Sequence, residues 1–437
     1  MKILKYIFIL ILLCSFAGAS WAQAPTPAAP QAKSIALVNG TAHLGNGEVI
    51  ERALLTFSNG KIESVAANSS DVNLDGYEVI NIEGKHIYPG LILPATELGL
   101  VEVEAVRATR DFRETGSLNP NVRALIAYNT DSELIPTLRF NGILLAQVTP
   151  QGGLVSGMSS LVQLDAWDWE GAAYKKDDGI HVNWPNRFNR TGWWAEPGGW
   201  KENKNYDKHV SSLESLFSDA VSYAKAEQKV KNAKLEALEG LFEGSRTLYI
   251  HVGRSKEIIS SVNFAKKLGV KKVVLVGAED AWLVKDFIKE NNIPVILSNL
   301  HRLPSRPEED VDLPFKLPYL LHQEGILVGL GYQGVMSSRN LPFFAGTAAA
   351  YGLNKEEALQ MVTSNTAQIL GIADKTGTLE TGKDANLVIS EGDLLDMRTN
   401  NLERAYIQGR QIQLDAKQQK LFEKYKDKYQ KENVSRL

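Results

Sequence analysis

Cysteine is all but missing: Cys14 is the only one in 437 residues, and it lies in an apolar leader. A chain cut after Ala22 would hold no thiol, which excludes disulfides and thiolate metal ligands from the mature protein. Long apolar runs are missing as well. Beyond Leu13 no segment approaches the ~20 apolar residues that a membrane-spanning helix needs. Neither sign of charge dominates, with 48 Lys and Arg against 51 Asp and Glu and a net charge of −3. That balance gives no sign of a nucleic-acid or membrane-surface partner.

What is present begins with an export signal. Lys2 and Lys5 precede the apolar run Ile7 to Leu13, and Ser20-Trp-Ala22 supplies small residues at cleavage offsets. The pattern predicts a secretory signal peptide over 1–22 and a periplasmic destination. A lipid anchor on Cys14 fits less well, because Leu13 stands where a lipobox wants a small residue. Residues 23–33, rich in Ala and Pro, read as a flexible linker.

Short β-type runs separated by turn residues occupy 34–88, among them Val49 to Phe57 followed by Ser58-Asn-Gly60. Asn-Gly between such runs is a hairpin signal. The same texture returns over 376–414, so both chain ends are expected to build one small β-sandwich domain. Between them, over 89–375, short apolar runs such as Thr247-Leu-Tyr-Ile-His251, Lys272 to Val276 and Ile293 to Leu297 alternate with helical spacing. Strands of that kind suit a sheet covered on both faces, and the alternation predicts βα units closing into a (β/α)₈ TIM-type barrel. Ser211 to Phe242 reads as a surface helix pair. Asn354-Lys-Glu-Glu357 is a capping box opening a helix to about Leu370. Residues 415–437 read as a charged helical tail with few apolar positions.

The motifs also resemble a known family. Ala345 to Leu359, Thr363-Ser-Asn-Thr-Ala367, Leu370-Gly-Ile-Ala-Asp374 and Gly377 to Leu387 are similar to the C-terminal signature of amidohydrolases of the imidazolonepropionase-like group. Pro89-Gly-Leu-Ile92 resembles the start of that superfamily's first barrel strand. The resemblance implies a metal-bearing barrel with a composite β-domain, and hydrolysis of a C–N bond by metal-activated hydroxide.

The family's metal ligands are mostly replaced here. Its first strand continues Asp-x-His-x-His, where this chain has Leu93-Pro-Ala-Thr-Glu97, so Ala95 and Glu97 take the histidine positions. Gly157-Met-Ser-Ser-Leu-Val-Gln163 resembles strand four, with Gln163 at the place of a carboxylated lysine. Gly277 and Gln333 fall where strands six and eight carry a histidine and an aspartate. His251 alone matches a metal-ligand position. A catalytic zinc takes about three His, Asp or Glu ligands plus water, and Gln333 has no useful basicity as a base.

Three function classes follow from this set: an exported pseudoenzyme that binds a small ligand or partner, a C–N hydrolase with an atypical site holding zinc or another divalent metal, and a structural companion of an active paralogue. A homo-oligomer is compatible with each. Glu97, Glu102, Glu104 and Asp111 could build a different site with His251, but are expected instead to pair with Arg107, Arg110 and Arg113 as loop charges. Trp167, Trp169, Trp184, Trp193, Trp194 and Trp200, with Tyr174 and Phe188, form an aromatic-rich window that would line a groove or fill an inserted loop. Gly152-Gly153 with Ser156-Gly157 reads as a backbone turn, since no Lys-Ser/Thr follows.

Overall fold

The computed structural model describes residues 26–434 apart from 70, 71, 194, 305 and 307; the leader and Cys14 lie outside the described residues. Two eight-stranded sheets dominate. The first gathers both ends of the chain. It comprises β1 (Ser34–His43), β2 (Val49–Ser58), β3 (Lys61–Ala67), β4 (Tyr77–Asn81) and β5 (His86–Pro89). Strands β16 (Leu387–Ser390), β17 (Leu402–Ile407) and β18 (Arg410–Ile412) complete it. β16 pairs antiparallel with β5, Val388 opposite Tyr88, so the C-terminal strands continue the N-terminal sheet and form one end of it. Leu37, Leu55, Phe57, Ile87, Leu387 and Tyr406 share its core, with the rings of Phe57 and Tyr406 edge to face at 5.0 Å.

The second sheet is the barrel, nearly closed. Its strands are β6 (Leu91–Thr96), β7 (Ile143–Val148), β8 (Val155–Gln163), β9 (Ala173–Asn183), β12 (Thr247–Val252), β13 (Val273–Gly277), β14 (Val295–Ser298) and β15 (Val328–Gly331). Inward-facing Ile92, Leu145, Tyr249, Val274 and Ile296 fill the interior, as the period of two along each strand requires. From β9 onward the strands are parallel, with helices such as Ser255–Lys267 and Leu313–Gln323 between them. β8 departs from the expected repeat: it runs antiparallel to both β7 and β9. The connections 149–154 and 164–172 explain why, because a parallel crossover needs a dozen or more residues.

The seam between β15 and β6 closes by an unusual device. The capping box is present, with Asn354 and Glu357 exchanging backbone bonds, but the helix it opens ends at Gln360 and a second runs Ser364–Ile369. The interruption has a use. Leu330 N–H donates to Met361 O at 3.1 Å and Ile92 N–H to Val362 O at 2.9 Å, so the broken turn supplies carbonyls to both open edges. Above it the strands meet: a Cβ on Gly331 would stand 3.0 Å from Pro94 O, and that approach explains why the position holds glycine.

Two other regions differ from expectation. Ala28 and Gln31, in the stretch read as a flexible linker, are fastened to the body: Ala28 N–H donates to Asp165 Oδ2 at 2.9 Å, and Gln31 Oε1 accepts from Gly60 N–H at 2.8 Å. The helix pair is Tyr206–Lys225 and Ala233–Glu243. Before it, β10 (Phe188–Gly192) and β11 (Pro197–Glu202) form a separate antiparallel hairpin.

Candidate functional site

The C-terminal ends of the parallel strands open into a cavity of about 560 Å³, within the range of ~300–1,000 Å³ usual for small-molecule sites. Barrel strands contribute Ala95, His251, Val276, Ile296 and Ser298; the hairpin contributes Phe188, Arg190 and Trp200 from above.

His251 lies where β12 delivers it, half-buried at the cavity. Its Nε2 is 2.8 Å from Nδ1 of His181, on the neighbouring strand β9, so one imidazole donates to the other. His181 is fully buried and stacks on Tyr249 at 4.7 Å. Burial pushes His251 down to about 4, and burial together with its neighbour pushes His181 well below the usual histidine range. Both rings are therefore neutral at pH 7. His181 Nε2 is buried without a protein partner.

Beneath the pair lies a polar layer. Asp178, fully buried in the barrel, accepts from Ser159 Oγ at 2.8 Å, Gln147 Nε2 at 2.8 Å and Tyr249 OH at 2.9 Å. Desolvation raises its pKa, opposed chiefly by the bond from Ser159. Gln147 passes the network on, accepting the N–H of Ala95 at 3.1 Å. Ala95 has φ +52°, a left-handed conformation disfavoured for a residue with Cβ. It sits in an irregularity of the β6–β7 register between Leu93 and Thr96.

The remaining family positions carry other chemistry. Glu97 accepts from Gln333 Nε2 at 3.3 Å, and the same nitrogen donates to Gln151 Oε1 at 2.5 Å. Burial raises the Glu97 pKa, while the bond from Gln333 opposes the rise. Gly277 has no side chain to offer. Gln163 is not at the mouth. Because β8 runs antiparallel, its last residue pairs with Leu145 near the start of β7, at the far end of the barrel. There Gln163 Oε1 accepts from Arg410 at 3.1 Å, beside Asp165, which also binds Arg139 at 2.7 Å. The fourth barrel strand is β9; it brings Asn183 to the mouth and holds His181, buried, against His251. Asn183 Nδ2 donates to Gly153 O at 3.0 Å and Ser156 Oγ at 2.9 Å, holding the glycine-rich turn in place.

Positive charge is the dominant electrostatic feature of the cavity wall. Arg190, Arg254 and Arg302 line it against a single carboxylate, Glu279. Arg302 is anchored by Glu309 at 2.6 Å. Arg254 lies over the Trp200 ring at 5.1 Å and 3.7 Å from Asp280, a carboxylate that Arg306 already grips with two nitrogens. The aromatic window divides accordingly. Phe188, Trp184 and Trp200 face the cavity, Trp169 packs on the core, and Trp167 is exposed; Trp194 lies outside the described residues. Glu102 bonds Asn129 and Ser132, not the arginines expected of it.

Among the described residues, no three His, Cys, Asp or Glu side chains stand close enough to share a metal ion. The residues at the family's ligand positions therefore do not fit the metal that the fold implies. Sequence reasoning missed His181 and the three arginines. The short connections around β8 were the available signal for His181, since they make β9 the fourth strand; the arginines come from three separate loops and share no spacing.

Residues 234–419 match the pattern described as "Amidohydrolase family". The chain is 23% identical over 376 residues to a 5'-deoxyadenosine deaminase of Methanobrevibacter smithii, covering 78% of this chain and 80% of that protein. It is 33% identical over 89 residues to a 5-methylthioadenosine/S-adenosylhomocysteine deaminase of Teredinibacter turnerae, 18% of this chain and 20% of that one. An amidohydrolase from Thermotoga maritima superposes with a TM-score of 0.76 at 23% identity, over 87% of this chain and 99% of its own. The match to the amidohydrolase-family pattern is thus confined to residues 234–419, and the barrel-plus-sheet fold of the whole is that of the Thermotoga maritima protein.

Proposed function

We propose that this chain is an exported amidohydrolase-like protein whose barrel mouth binds a small anionic ligand with an aromatic or apolar body, without hydrolysing it through metal-activated water. The carrying observation is the His251–His181 bond: the one histidine at a family ligand position has its Nε2 committed to a neighbouring imidazole. Ala95, Gly277 and Gln333 add no basic ligand around it. Arginines 190, 254 and 302 supply charge-assisted donors for a carboxylate or phosphate, and Phe188, Trp184 and Trp200 supply apolar surface for the rest of the molecule.

A second reading, a C–N hydrolase with an atypical mononuclear site, draws support from the two deaminases to which the chain is similar. Elemental analysis beside a ligand screen separates the two. Protein purified without added metal is expected to hold far less than one equivalent of zinc, iron or manganese, and chelator should leave its melting temperature unchanged. N-acyl amino acids and dicarboxylates should raise that temperature in the parent protein and not in Arg190→Gln/Arg302→Gln. One or more tightly held equivalents, lost in His251→Ala together with amidase, dipeptidase or deaminase turnover, would establish the hydrolase.

A further inference from the structure

The C-terminal helix Lys417–Val434 is joined to the body near its start, where Ala416 is buried and Thr137 Oγ1 donates to Gln418 Oε1 at 2.9 Å. Past that point it carries an apolar stripe in the open. Leu421, Phe422, Tyr425 and Tyr429 are 43%, 58%, 50% and 56% exposed. Successive residues turn by about 100° on a helix of 3.6 residues per turn, which places these four within one arc of roughly 100°. The same arithmetic puts Lys417, Lys420, Lys424 and Lys428 in a second arc directly beside it, with Glu423 and Asp427 beyond the lysines. Few apolar positions were expected of this tail, yet Leu421, Phe422, Tyr425 and Tyr429 align on one face, in an arc that Gln418 and Glu432 close off at either end along the helix.

We propose that this helix is a docking arm that lies on an anionic lipid surface, its aromatic stripe in the headgroup layer and its lysine row against the lipid phosphates. An apolar face flanked by lysines is the pattern of helices that rest in the membrane interface. The choice of side chains favours lipid over a second copy of the helix. Tyrosine keeps its hydroxyl wet while burying its ring, which suits a headgroup layer. A self-pairing seam is built from aliphatic residues at heptad spacing, and this stripe has one leucine. Two lysine rows brought together would also repel. Among the described residues no helix is long and apolar enough to cross a membrane, so the arm would attach the body without anchoring it through the bilayer.

The test is flotation of the chain from Gln23 onward, without the apolar leader, which would itself bind lipid. The vesicles are of mixed phosphatidylethanolamine and phosphatidylglycerol, or of phosphatidylcholine alone. The chain should float with the anionic vesicles at low ionic strength, dissociate by roughly 0.5 M salt as screening sets in, and bind phosphatidylcholine weakly. Replacing the four lysines by Gln should weaken anionic-vesicle binding at least roughly tenfold. Phe422→Ser/Tyr425→Ser/Tyr429→Ser should weaken it even at low salt. All seven substitutions are on exposed side chains, and circular dichroism with a melting curve checks that each variant folds. Should one melt early, the chain ending at Ala416 takes its place. Equal binding to both vesicle types, or binding unchanged in the variants, would overturn the proposal. So would a concentration-dependent dimer that the aromatic variant dissociates while no vesicle is bound.

Discussion

Nε2 of His251 and Nδ1 of His181 are 2.8 Å apart, on adjacent strands of one barrel. In the sequence they are 70 residues apart, and only His251 stands at a recognisable ligand position. The bond between them makes both rings part of the interior polar stack that continues through Tyr249 to Asp178.

This pair predicts a pH dependence of stability. His251 has a folded value of about 4 against an ordinary 6.5, so between those limits the unfolded chain binds more protons than the folded one. Stability is then fully present above pH 6.5 and lost as pH falls towards 4. A difference of that size corresponds to at most about 3 kcal/mol. Denaturant melts of the parent and His251→Gln between pH 7.5 and 4.5 check it. The parent should be the more stable at pH 7.5, and the two should converge at the acid end. A gap that stays constant with pH would show that His251 does not titrate on unfolding.

Asp178 holds three donors in the barrel core, from Ser159, Gln147 and Tyr249. Asp178→Ala leaves them buried without an acceptor, at a cost of roughly 3–5 kcal/mol. Asp178→Asn keeps one acceptor oxygen and is expected to cost less than half as much. Chemical denaturation ranks the pair; equal losses would mean that volume, not hydrogen bonding, sets the cost. Ala95 N–H is tied into the same network through Gln147, so amide exchange at Ala95 should quicken in the alanine variant.

Two truncations separate the roles of the C-terminal segments. Removing residues 376–437 strips β16, β17 and β18 from the sheet, leaving β5 with an unpaired edge and Phe57 without Tyr406. Insoluble protein is the expected outcome, and a soluble, cooperatively melting product would contradict it. Removing only 417–437 takes away a helix whose apolar stripe is already exposed. The melting temperature should then move by less than about 3 °C, well under the effect of losing a docked element.

Local signals in the sequence were sufficient where the structure depends on neighbours in the chain. Thr247 to Val252 is a strand because a short apolar run with β-branched ends suits a barrel interior, and period two then aims His251 inward. Asn354 and Glu357 satisfy each other's backbone three residues apart, so the cap was legible as written. The same holds for the turns of the N-terminal sheet. What lay beyond reach depends on strands that meet only in space. Strand direction is set by which edge a segment pairs with, so β8 turned over and carried Gln163 to the far end of the barrel. The helix after Asn354 broke because two open strand edges needed the carbonyls of Met361 and Val362. His181 and Arg190, Arg254 and Arg302 acquired their positions only when β9, the hairpin and two βα loops converged on one cavity. The sequence by itself determined the elements and the lack of an imidazole or carboxylate at Ala95, Gly277 and Gln333. Tertiary pairing decided what stands in that space instead, because a side chain's neighbours across a sheet are fixed by register and direction, which no local spacing encodes.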